Sequence, residues 1–225
     1  MKHTLIAVIL FSTLASSALM AAGGDNGSID GAGITLVLEE IPASPLSPVE
    51  KEGILYMREE EKLARDVYNY LYEMWQVPVF RNIARSEQTH MDATTYILSR
   101  YNLPDPVADD TPGIFSNPEL KELYDSLTAA GGTSLEAALA VGVEIEDLDI
   151  YDLGSRLALT DNADIRIVYL NLEKGSRNHL RSFYGQLLRR GGSYEARYIS
   201  DLYFTRITES PGERGGTISD PKFIF

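Results

Sequence analysis

The chain has 225 residues, of which 44% are apolar and 24% charged. That suits one globular domain with tails and excludes wholesale disorder. Twenty Lys and Arg against 33 Asp and Glu leave a formal net charge of −13. This disfavours nucleic acid and anionic membrane surfaces as partners and favours metal cations. With no cysteine, disulfides, thiolate nucleophiles, zinc fingers and iron–sulfur clusters are excluded. Any metal must be held by oxygen and imidazole.

In chain order, Lys2 and His3 precede an uncharged, mostly apolar run, Leu5 to Leu19, followed by Ala21, Ala22, Gly23 and Gly24. This is the layout of a secretory signal peptide, residues 1–22, and the run is short for a membrane span. Export to the periplasm or exterior is therefore expected, with no membrane association after cleavage. Residues 23–47, rich in Gly, Ser and Pro, read as a flexible linker.

Four long helical patterns follow. Helix A starts at Ser47, with Pro48 at its first position and Glu50 three residues on, a capping-box arrangement, and runs to about Gln76. Helix B spans about Val79 to Tyr101. A short helix opens at Asn117-Pro118 and stops at Gly131-Gly132. Helix C runs from Thr133 or Ser134 to near Thr160, and helix D from Asp161 or Asn162 to Gly191. Residues 199–225 read as an irregular tail, and no strand pattern is long enough to build a sheet. Long helices with mostly short connections predict an all-α four-helix bundle with one longer crossover that carries the short helix.

Residues spaced alternately three and four apart line the core-facing seam of each helix. The seams are apolar except at mid-length, where they carry Glu61 on helix A, Glu87 and His90 on B, Glu146 and Asp149 on C, and Ser176 and His179 on D. An isolated buried carboxylate costs several kcal/mol, so four such interruptions at similar depth call for a shared compensator. A central cation is the simplest. Four carboxylates and two imidazoles would neutralise two divalent ions and suit iron, or alternatively manganese, better than calcium or magnesium. His90 and His179 are the two histidines that remain after the leader, and both fall on the seams. Glu87 and His90, at i and i+3, can reach one ion. In the run Glu59-Glu60-Glu61, Glu61 has the seam position and Glu60 is the alternative. Otherwise the run reads as a solvated face. Tyr68 and Tyr101 fit core packing or a place beside a metal. Asp152 and Arg177 fit surface ion pairs or a role in orienting ligands.

The pattern Glu61, Ala64, Tyr68, together with Glu87-x-x-His90, resembles the ferritin-like superfamily. With Met57 to Tyr68, Ile145 to Ile150 and Gly175 to Arg181, the chain looks like a microbial, exported ferritin-like family known as a domain of unknown function. The resemblance covers roughly residues 48–198. It implies a di-iron carboxylate centre with oxidase- or peroxidase-type chemistry on O2 or H2O2. The second Glu-x-x-His of such proteins is replaced here by Ser176-Arg177-Asn178-His179. Asp149 is placed to supply the lost carboxylate, and the site is left dinuclear, asymmetric or mononuclear. The other reading is a non-catalytic module for metal storage, structure or protein interaction. Protein partners and oligomeric state are not encoded in any recognisable motif.

Overall fold

The computed structural model describes residues 30–225, so the signal peptide read over 1–22 and the first linker residues lie outside the described part. Seven helices and no strands make up the described residues: α1 (Gly31–Glu39), α2 (Pro48–Trp75), α3 (Pro78–Arg100), α4 (Pro118–Gly131), α5 (Leu135–Leu157), α6 (Ala163–Leu188) and α7 (Asp201–Glu209). None of these helices is long and apolar enough to cross a membrane.

The helix starts follow the local chemistry. Ser47 accepts the Glu50 amide while the Glu50 carboxylate takes the Ser47 amide, and Pro48 sits in the first turn, so α2 opens with a complete capping box. Pro78 and Pro118 occupy the first turns of α3 and α4, and the Ser134 side chain caps α5. Gln76, with φ of 54°, ends α2 in the left-handed region. Only Gln76 and Val77 separate α2 from α3, so the chain doubles back at once.

The four long helices α2, α3, α5 and α6 pack pairwise, α2 along α3 and α5 along α6, and α2·α5 and α3·α6 contacts join the pairs. Their apolar residues form two clusters. One holds Val67, Tyr68, Leu71, Phe80, Ile83, Leu139, Val143, Leu180 and Phe183. The other holds Ile54, Met57, Ala93, Ile97, Leu153, Ile165, Val168 and Leu172. Helices α2 and α6 run from the second cluster to the first, and α3 and α5 run the opposite way. Each helix thus crosses from one apolar layer to the other through a polar waist. Gly142 permits the close approach of α5 to α6, because a Cβ there would lie 2.6 Å from the Phe183 ring.

Three expectations need correction. The segment 23–47 is not a linker throughout, because it carries α1, which packs on α3 and α6 and buries Ile34 and Leu38 in the second cluster. The tail 199–225 is not irregular throughout. It forms α7, which buries Phe204 and Ile207, and then lies along the outer side of α6. There Glu213 pairs with Arg177 and Arg181, and the Phe225 ring sits 4.2 Å from the Arg177 guanidinium. Arg177 therefore anchors the tail and does not orient a ligand. The third correction concerns Glu59, Glu60 and Glu61, which are all buried rather than solvated. The crossover 101–117 covers this part of α2: Glu59 accepts the Ser116 and Asn117 amides, Arg58 pairs with Asp105, Arg65 with Asp110, and Lys62 bonds the Thr111 carbonyl.

Candidate metal centre

The waist between the apolar clusters is where the seams carry their polar residues. Glu61 comes from α2, Glu87 and His90 from α3, Glu146 from α5 and His179 from α6, and the structure brings all five together with at most 2% exposure. They form two groups, Glu61 with Glu87 and His90, and Glu87 with Glu146 and His179, in each of which the ligand atoms lie within 4.8 Å of one another. Glu87 belongs to both. Its Oε2 is 2.8 Å from His90 Nδ1, and its Oε1 is 2.9 Å from His179 Nδ1. Glu61 Oε2 lies 3.0 Å from His90 Nδ1, and Glu146 Oε2 lies 3.5 Å from His179 Nδ1. The two imidazoles stack with centroids 5.3 Å apart.

The surroundings orient this set. The Tyr68 hydroxyl donates to Glu146 Oε1, and His179 Nε2 lies 2.9 Å from Ser86 Oγ. Donation from Nε2 to Ser86 leaves the Nδ1 lone pair turned toward Glu87 and Glu146, the tautomer a metal ligand needs. Ser86 had no place in the sequence reading. It precedes Glu87 by one residue, and only the packing of α3 against α6 reveals its role.

Asp149 is not in either group. It is buried, with one oxygen against the Ser176 hydroxyl and the other without a hydrogen-bond partner. Glu60 is buried next to the cluster with both oxygens unpartnered. Tyr101 bonds Asp164, away from the waist, and Glu173 pairs with Arg177 and Tyr203 on the tail side.

The electrostatics mark the waist as undercompensated. Burial, with help from Glu87, pushes the Glu61 carboxyl up to about 7 against the pull of His90. Burial raises Glu146 despite His179. It raises Asp149 well above the usual range, with Glu61 and Glu146 adding to it, and Glu60 likewise, with Asp149 and Asp152 adding. Burial also works to raise Glu87, but His179 and His90 outweigh it and hold that carboxyl low. For the imidazoles, burial opposes charge, yet Glu87 and Glu146 lift His179 to about 9, and Glu61 and Glu87 lift His90 well above its ordinary value. Five carboxyls here face two imidazoles. Cations offset such a surplus more completely than protons on nitrogen can.

The donors fit a metal pair. Glu61 Oε1, Glu87 Oε1 and His179 Nδ1 are buried without hydrogen-bond partners, although most buried polar atoms find one. The mixed oxygen and nitrogen set, with no sulfur, matches iron, manganese or zinc more closely than calcium or magnesium.

The chain is similar to known proteins. Residues 50–211 match the family described as Uncharacterized protein domain (DUF2202), so the matched region reaches past α7. The chain is 53% identical over 178 residues to a protein of Methanocaldococcus jannaschii named Uncharacterized protein MJ0754, covering 79% of this chain and 96% of that one. The crystal structure titled hypothetical protein MJ0754 from Methanococcus jannaschii superposes with a TM-score of 0.76, covering 77% of this chain and 99% of that chain.

Proposed function

For this chain, which belongs to the DUF2202 family, we propose the role of an exported, ferritin-like metal protein holding two iron ions, or manganese in their place. We infer an oxidase- or peroxidase-type activity that uses O2 or H2O2. The observation that carries the reading is Glu87, whose two oxygens each face a different imidazole in two ligand groups that share it. What supports a ferritin-like four-helix bundle is the order of the helices: two antiparallel pairs joined by a long crossover, with Glu-x-x-His in the second long helix. Export rests on the leader pattern alone, and an N-terminus near Ala22 or Gly23 in native protein checks it. Intact Met1 on the native protein would refute it.

Bound iron would supply one-electron exchange with dioxygen or peroxide. The chain's own part is positional. Glu61 with His90, and Glu146 with His179, would hold the metal, with Glu87 as a member of both groups. Tyr68 fixes Glu146 and Ser86 fixes His179. The apolar clusters on either side keep bulk water away from the waist. The test is metal analysis of protein made with iron and manganese available, followed by dioxygen uptake when Fe2+ is added. Two metal ions and rapid O2 consumption are expected. Zinc bound equally well, with no oxygen chemistry, would favour the non-catalytic storage or structural alternative, which the closed character of the site supports.

A further inference from the structure

The two ligand groups correspond residue by residue. Helices α2 and α3 bring Glu61 and His90 to one, and α5 and α6 bring Glu146 and His179 to the other. Because α2 and α5 run in opposite directions, as do α3 and α6, the waist has an approximate twofold relation. The register agrees. Ile54 and Leu139 stand seven residues before Glu61 and Glu146, Ile83 and Leu172 seven before His90 and His179, and all four lie in the core.

The side chains that support the groups break this relation. His179 Nε2 meets Ser86 Oγ at 2.9 Å, and the Tyr68 hydroxyl donates to Glu146 Oε1. Ser86 lies four residues before His90, but the position four before His179 is Gly175, which has no side chain to offer His90. Tyr68 lies seven residues after Glu61, but the position seven after Glu146 is Leu153, which has no hydroxyl to offer Glu61. Accordingly His90 Nε2 and Glu61 Oε1 are buried without a hydrogen-bond partner. The imidazole tautomers differ for the same reason. Ser86 can accept the Nε2 proton of His179 and leave Nδ1 free for a metal. His90 Nε2 has no acceptor, while its Nδ1 lies 2.8 Å from Glu87 and 3.0 Å from Glu61, so the proton stays on Nδ1. An ion bound there must displace that proton, and carried to Nε2 it would be buried without a partner.

We propose that the two halves of the centre bind metal unequally: the half of Glu146 and His179 fills first and keeps its ion, and the half of Glu61 and His90 fills second and exchanges. Ser86 and Tyr68 are the positioning residues that set this order. The inference rests on the metal reading above. A hydrogen-bond partner behind a ligating side chain is worth about 10–100-fold in metal affinity, and both such partners serve the same half.

The test adds Zn2+ to the metal-free full chain carrying isotope-labelled histidine and follows the imidazole nitrogen resonances by NMR. The first equivalent should move the His179 signal and leave His90 in place, and the second should move His90. Ser86→Ala and Tyr68→Phe should each weaken the His179 half about 10–100-fold and leave the affinity of the His90 half unchanged. His90 filling first in the parent, or both halves filling together, would overturn the inference and leave the inner centre standing. Parent-like affinities in both variants would overturn it too, as would equal weakening of the two halves, the mark of a general loosening of the fold. Zn2+ that moves neither imidazole would refute the inner centre itself. Should Tyr68→Phe fail to fold, as judged by circular dichroism, Ser86→Ala decides the matter.

Discussion

At the residue scale, Glu87 is the joint of the waist. Its two oxygens face different imidazoles, whereas Glu61 and Glu146 each serve one side. Glu87→Ala should therefore lose both metal ions, while His90→Ala and His179→Ala should each lose mainly one. Metal analysis of the purified variants reads this difference, with circular dichroism expected to show little loss of helix. Equal metal content in Glu87→Ala and the parent would refute the shared role. Arg177 illustrates a second buried charge with a different purpose. It is 1% exposed and paired with Glu213 and Glu173. Glu213→Ala leaves that guanidinium short of a partner and should cost about 1–3 kcal/mol in urea unfolding, with metal content unchanged.

At the element scale, the spacing between helices depends on single positions. Gly142 lies where α5 meets the Phe183 ring, and that ring packs on Tyr68 and Phe80. Gly142→Ala forces this aromatic group apart and should destabilise the fold by about 1–3 kcal/mol through overpacking, seen as a lower melting temperature. Glu50 ties two helix starts together. Its carboxylate takes the Ser47 amide at the head of α2 and the Asp161 and Asn162 amides just before α6. Burial raises this carboxyl, but the Ser47, Asn162 and Asp161 donors outweigh it and hold it below its ordinary value. A carboxyl lowered by folding stabilises above its unfolded value, about 4.3, and that contribution disappears as pH falls through the folded one. Glu50→Gln should thus be about 1–2 kcal/mol less stable than the parent at pH 7, and the gap should narrow near pH 3. A gap independent of pH would refute the charged role.

At the scale of the whole molecule, two apolar layers sandwich a charged one. The layers alone favour folding, while the carboxyl surplus between them works against it. A ligand that binds only the folded chain stabilises it by mass action, by about 2.7 kcal/mol at a hundredfold excess over its dissociation constant. Removal of metal with a chelator should accordingly lower the melting temperature in calorimetry, and Fe2+ or Mn2+ should restore it under anaerobic conditions. Identical melting curves with and without metal would count against a cation in the waist. The peripheral pieces close the same body: α1 covers the α3–α6 face, and the tail runs along α6 from Glu213 to Phe225.

The local chemistry of the chain determined where the long helices begin and end, because a capping box, a first-turn proline and an apolar period each act within a few residues. It also determined which residues face inward, since Glu61, Glu87, His90, Glu146 and His179 follow from position along single helices. Tertiary structure alone decided what those residues meet. Glu61 rather than Glu60 reaches His90, Asp149 stops at Ser176, and Glu87 is shared by both groups. These outcomes depend on side chains brought together from separate helices. The burial of Glu59 to Glu61 depends on the crossover lying over α2, and α1 is a helix because α3 and α6 offer its short apolar stripe a surface. A nine-residue helix has too few internal hydrogen bonds to stand alone, so the Asp30 cap and the Ile34–Leu38 pair make a helix only against that surface.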